Sequence, residues 1–203
     1  MAVIKSGASS DNLTVDATSK AARVTMYDAR GNLMGSKPTY RACTADTVAA
    51  AASATAPFAV IYGSASKTLR VQRIIVSGLT TTTLAIQGVS LIKYSSQPTG
   101  GTPVTLTQVP LDANDAAGTS NLCQVYTAAP TTGTALGRIA SRRALNKSTT
   151  AVDGSPMTDL VFDFRGMDES MAITLRGTTQ GVGLQLHVAT ATTCTVEIEW
   201  TEE

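Results

Sequence analysis

An all-β fold, an antiparallel β-sandwich with an extended N-terminal arm, is what this 203-residue sequence predicts. Three observations carry the prediction. Short apolar runs recur from Pro57 onward, separated by Gly, Pro, Thr and Asn, at the spacing of sandwiches and barrels. About three residues in ten are Thr or Ala, and the branched Cβ of Thr fits a pleated, half-buried surface. No long amphipathic helical pattern interrupts the runs.

Residues 1–43 read as an arm. They are polar and small, with turn chemistry in Ser9-Ser10-Asp11-Asn12 and again around Gly35 and Pro38. One strand stands inside the arm: Arg23, Thr25 and Tyr27 alternate with Val24, Met26 and Asp28, and Ala29-Arg30-Gly31-Asn32 breaks the run. Residues 44–56, "TADTVAAAASATA", have alanines but no apolar stripe, which predicts a linker or a short exposed helix.

Residues 57–203 carry the sandwich. Its strand candidates are "FAVIYG", "KTLRVQRIIVSG", "TLAIQGVSLIKYSS", "PVTLTQVPL", "LCQVYTAA", "GRIASRRAL", "MTDLVFDFRG", "SMAITLRG", "VGLQLHVAT" and "CTVEIEWTEE". Gly88 marks a bulge or a close approach. The last strand alternates most clearly, with Cys194, Val196, Ile198 and Trp200 on one face and Thr195, Glu197, Glu199 and Thr201 on the other. Apolar-in, polar-out alternation belongs to antiparallel sheets, and one apolar face needs a second sheet to cover it. Eight or more strands make a jelly roll the expected topology.

Composition narrows the function. A formal net charge of +1 leaves no basic stripe of the kind nucleic acid rewards. The clearest basic group is Arg138, Arg142, Arg143 and Lys147, and the clearest acidic one is Glu197, Glu199, Glu202 and Glu203. Arg142 and Arg143 on one copy facing Glu197 and Glu199 on the next would give inter-subunit complementarity. No apolar stretch reaches the length of a membrane span, and the opening residues lack the pattern of a secretory signal, so the product is expected to be soluble when made. Cys43, Cys123 and Cys194 lack metal-ligand spacing, which predicts free, mostly buried thiols and a reducing compartment.

Catalytic patterns are absent from the sequence. His187, the sole histidine, reads as a surface imidazole, and no G-x-S-x-G elbow accompanies it. Asp163 and Arg165 share one strand face and read as an ion pair rather than half of a carboxylate pair. "LDANDAAG" reads as a polar turn, since it lacks the closing acid of a calcium loop. "TQGVGLQ" and "PTGGTP" lack the context of a phosphate loop. The expectation is a protein with no enzymatic activity and no cofactor or metal. A sugar-binding module would need Tyr40, Tyr94 or Tyr126 in a surface groove near Gln72 or Gln87.

The segment "SGASSDNLTVDATSKAARVTMYDARGN" (6–32), with "PFAVIYGSASKTLRVQRIIVSG" and the closing "VEIEWTEE", resembles uncharacterised structural proteins of tailed bacteriophages. In those proteins such a segment precedes variable β-rich domains. The resemblance implies a virion component, assembled in the host cytoplasm, whose partners are other capsid or tail subunits rather than nucleic acid or membrane. A decoration (cement) or minor capsid protein is the first expectation; a tail, neck or fibre component in host attachment is the alternative. The arm would dock through Arg23, Val24, Met26, Tyr27 and Asp28 on a neighbour's sheet edge, and edges hidden between copies favour a closed homo-oligomer such as a trimer.

Overall fold

The computed structural model describes residues 26–27, 33–34, 37–82, 85–148, 159–165 and 172–203. The chain divides into two units, Met1–Ser36 and Lys37–Glu203.

In the first unit, β1 (Met26–Tyr27) pairs antiparallel with β2 (Leu33–Met34), with Met26 opposite Met34 and Tyr27 opposite Leu33. The expected arm strand therefore has its partner a few residues downstream, across the predicted Ala29–Asn32 turn. Arg23, Val24 and Asp28 lie outside the described residues.

The second unit, the body, contains β3 (Thr39–Cys43), β4 (Val48–Ala50), β5 (Ala59–Tyr62), β6 (Leu69–Thr81), β7 (Ala85–Tyr94), β8 (Thr102–Thr105) and β9 (Gln108–Pro110). It continues with β10 (Cys123–Ala128), β11 (Ala135–Ser148), β12 (Leu160–Asp163), β13 (Ile173–Leu175), β14 (Gly181–Leu186) and β15 (Thr192–Glu202). Two antiparallel sheets pack face to face. One runs β8-β10-β5-β14-β7-β11; the other runs β6-β15-β3-β9, with β12 and β13 end to end along the free side of β6 and β4 beside β3 on β15. The one parallel pairing among the described strands joins the sheets at a corner, where Lys147 and Ser148 of β11 meet Thr80 and Thr81 of β6.

The connectivity follows from these pairings. Setting aside β4, β8, β9, β10 and β13, one sheet reads β3-β15-β6-β12 and the other β5-β14-β7-β11. In chain order these are the first, eighth, third and sixth strands against the second, seventh, fourth and fifth. That order is two interlocked Greek keys, the jelly roll. The strands β8 to β10 are an insertion between β7 and β11 that extends both sheets.

Alternation builds the interior. Cys194, Val196, Ile198 and Trp200 of β15 have no exposed surface, and neither do Leu69, Val71, Ile74 and Val76 of β6 beside them. From the other sheet, Val60, Leu91 and Leu184 are equally buried. Each such side chain contributes roughly 1.5–3 kcal/mol relative to exposure. Register shifts opposite Thr193–Thr195 and Glu199–Trp200 of β15 each place an extra residue on β6 and bend that long strand around this core.

Residues 39–56 depart from the sequence reading. Thr39–Cys43, assigned to the arm, is a strand zipped to β15, with Tyr40 opposite Trp200 and both rings buried. Within 44–56 there is no helix among the described residues: Val48–Ala50 adds to β15, Ala50 and Ala51 are buried, and the Ala51 N–H donates to the Tyr126 carbonyl. Methyl groups fill the narrow space there without forming an apolar stripe, so alanine-rich sequence gave no pattern to read. The body begins at Lys37, ahead of the boundaries at 43 and 56.

Candidate functional site

The acidic end of β15 is turned inward on its own chain. Arg41 of β3 binds Glu199 at 2.6 Å and lies 3.8 Å from Glu197, and Arg165 comes within 4.0 Å of Glu199. Glu202 accepts from the Trp200 indole N–H at 3.1 Å and from the Thr119 hydroxyl at 2.8 Å. Glu203 pairs with Lys37 and with Arg70, the latter at 2.7 Å. Burial pushes the Glu203 carboxyl up, but the hydrogen bonds and charges of Arg70 and Lys37 outweigh it and hold the group below its ordinary value. Glu197 and Glu199 thus have intrachain partners. The outer face of β15, which alternation assigns to solvent, is largely covered: Glu199 is only 8% exposed.

The basic residues lie on β11, the edge strand of its sheet. Its side away from β7 is paired only at Lys147 and Ser148 among the described residues. Arg138, Arg142 and Arg143 are exposed. Arg142 reaches across the gap between the sheets, its guanidinium 5.9 Å from the centre of the Phe162 ring on β12. There it closes the edge of the sandwich by a cation–π contact.

Arg143 belongs to a different group, on the outer face of β5-β14-β7-β11. His187 follows β14 and lies across Gly88 of β7, where a methyl group would overlap the imidazole. This is the close approach expected at Gly88. The ring Nε2 stands 2.8 Å from the Ser90 hydroxyl and 3.0 Å from that of Ser141, and Arg143 Nε–H donates to Nδ1 at 3.4 Å. With Nδ1 accepting, the ring proton sits on Nε2, which donates to the serines. A serine nucleophile needs the opposite tautomer, with Nε2 free to take its proton. Burial first, then the charges of Arg143 and Arg138, hold the imidazole below its ordinary value. His187 is half-buried and engaged rather than a free surface ring. A cavity of about 240 Å³ opens beside it, lined by Ala54, Ser90, Arg138, Arg143, Gln185 and His187 together with Leu186.

A larger cleft of about 510 Å³ lies where the β5–β6, β7–β8 and β13–β14 connections gather, lined in part by Tyr62, Gln97, Asn121, Gln124, Tyr126 and Thr178. The Tyr62 and Tyr126 hydroxyls are 2.6 Å apart. Burial, reinforced by that bond, pushes the Tyr62 phenol far above its ordinary value. Asn121 adopts φ 61° at its rim, a left-handed conformation that Asn tolerates. No charged side chain lines this cleft among the described residues.

The remaining residues singled out from sequence settle plainly. Asp163, the last residue of β12, and Arg165, two residues on and outside the strand, form the expected ion pair at 2.6 Å. The hydrogen bonds from Arg165 pull the Asp163 carboxyl down to about 2. Asp112 closes a polar turn on the Asn114 N–H at 2.9 Å. Tyr40, Tyr94 and Tyr126 are largely buried, with Tyr126 at the wall of the larger cleft, and Gln87 is buried where it bonds the Val188 carbonyl. Lys93, lowered to about 8 by burial, donates to the Thr174 carbonyl at 2.6 Å.

Sequence reasoning missed the group formed by Ser90, Ser141, Arg143 and His187, because its members come from β7, β11 and the residue just after β14 and meet only through the β14–β7–β11 register. Gly88 was the single local signal. Comparison with protein-family models, with curated proteins and with solved structures gives no match.

Proposed function

We propose that the chain is a structural subunit of a tailed-phage virion, a decoration or minor capsid protein that ties neighbouring subunits together. One observation supports this most directly. The body from Lys37 onward completes both of its sheets from its own residues, whereas the described structure of Met1–Ser36 is a hairpin with two residues in each strand. A two-stranded hairpin is marginal in water by itself, because ordering each residue costs about 1–2 kcal/mol. A segment of this kind gains stability by lying on a partner's surface, the behaviour of an anchor. The likeness of residues 6–32 to the leading segment of phage structural proteins points the same way. On this reading the partners are other virion proteins, the site of assembly is the host cytoplasm, and the long β11 edge is hidden between copies in a closed oligomer.

A tail, neck or fibre role in host attachment is the second reading. It is favoured by the outward-facing cavity at His187, which is remote from the paired acids of β15.

Deleting residues 1–36 tests the first reading. The truncated body should fold and fail to enter particles when it replaces the full chain. Incorporation at the normal copy number would remove the anchor from consideration.

A further inference from the structure

From the outer face of β5-β14-β7-β11, we infer that the cavity bounded by Arg138, Arg143, Ser90 and His187 is an oxyanion-binding site, taking the phosphate or carboxylate group of a polar ligand.

Three features argue for it. Arg138 and Arg143 both line the cavity, yet neither has a carboxylate partner among the described residues, although six ion-pair contacts are made elsewhere in the body. Guanidinium groups match carboxylate and phosphate oxygens with paired N–H donors, so two unneutralised ones on one cavity make a ready counter-charge. Next, Arg143 is oriented: its Nε is fixed on His187 Nδ1, which leaves the terminal N–H groups free to turn to a ligand. Last, the polar wall of the cavity is held in place. His187 Nε2–H is shared between Ser90 and Ser141, and Ser90 donates to Ser141 at 3.4 Å, which fixes the imidazole and the Ser90 hydroxyl beside the two arginines. A cavity of about 240 Å³ admits a single phosphate or carboxylate group with water, and not a large ring system.

The site has a built-in pH dependence. The charged groups that bear on His187 are Arg143 and Arg138 of β11; Ser90 and Gly88 of β7 and Ser141 of β11 add only neutral contacts. A bound anion would offset both arginines and favour the imidazolium; protonation gives up the Arg143 bond to Nδ1 but adds a positive charge beside the anion, and with that charge the larger effect, linkage makes protonation of His187 tighten the anion.

The experiment follows the His187 imidazole resonances of the full chain by NMR during titration at constant ionic strength. The probes are inorganic phosphate, sulfate, glucuronate as a carboxylated sugar, and chloride as control. Saturable shifts with phosphate alone would assign a phosphate-bearing ligand, and with glucuronate a carboxylated one; either supports the site. Arg138→Gln and Arg143→Gln should each weaken binding at least tenfold, whereas Arg142→Gln, on the same strand but stacked on Phe162, should leave it unchanged. Sulfate, whose charge is constant between pH 7 and pH 5, should bind at least threefold more tightly at the lower value. Shifts no larger than those with chloride would overturn the proposal, and so would an Arg142→Gln loss equal to that of Arg143→Gln. None of these outcomes depends on virion incorporation, so this proposal and the anchoring role stand or fall separately.

Discussion

Tyr40 stacks on Trp200, with ring centroids 6.0 Å apart and ring planes inclined by 26°. The Tyr40 hydroxyl also donates to the Ala116 carbonyl at 2.9 Å, so a single side chain ties β3, β15 and the β9–β10 connection together. The first strand of the body is therefore part of its core. Removing residues 1–36 should leave the denaturant midpoint of the body within error. Removing residues 1–43 takes β3 away and should abolish cooperative unfolding, and Tyr40→Ala alone should cost about 3–5 kcal/mol. Equal stability of the two truncations would contradict this.

Acid should weaken the fold through Glu203. Its folded value lies below the ordinary 4.5, so the group's contribution is fully present above that value. The contribution is lost as pH falls through 4.5 toward the lower folded value. Glu203→Gln should flatten the acid limb of a stability–pH profile. At neutral pH it should lower stability by about 1–3 kcal/mol, because it removes the charge-assisted hydrogen bonds from Lys37 and Arg70. Asp163 is also depressed, but it is substantially exposed and solvent screens its pair with Arg165. Asp163→Asn should change the profile much less.

Asn146 of β11 is completely buried, and neither its side-chain amide nitrogen nor its oxygen has a hydrogen-bond partner among the described residues. Unmade hydrogen bonds of this kind cost roughly 1–3 kcal/mol. Asn146→Leu, close in volume, should raise the denaturant midpoint by a comparable free energy. A fall would indicate that a water molecule bridges the amide in solution.

The three thiols should separate cleanly in a timed reaction with an aromatic disulfide reagent. Cys43 is exposed, whereas Cys123 and Cys194 have no accessible surface. Burial pushes the Cys194 thiol up to about 12 and that of Cys123 further still, so neither forms thiolate in the native state. One equivalent should react at once, and the other two only as the protein unfolds. Rapid reaction of all three would mean that the core opens far more readily than its packing implies.

The architecture was legible where strands obey a period of two. Alternation along β15 correctly placed Cys194, Val196, Ile198 and Trp200 inside, and the turn residues around them separated most of the other strands. It failed at β3 and β4, where small residues fit against the core without a strong pattern. It also misjudged the polar face of β15, since Glu199 and Glu202 are covered by partners more than 80 residues away in sequence: Arg41 and Thr119. Of the candidate site, Arg138 and Arg143 were visible beforehand as part of a basic group, His187 as a surface imidazole and Gly88 as a close approach, but not their meeting. The meeting of Ser90, Ser141 and Arg143 around His187 depends on which strand lies beside which, and a single sequence does not encode that locally.

The corner pairing of β11 with β6 constrains how the molecule can deform. On the opposite side, β8 in one sheet leads through two residues, Leu106 and Thr107, into β9 in the other, so the chain itself sews that flank shut. On the flank of β11 and β12, Arg142 lies over Phe162 among the described residues. Under stress the two layers should resist parting most strongly at the stitched flank, where the link between them is covalent and two residues long.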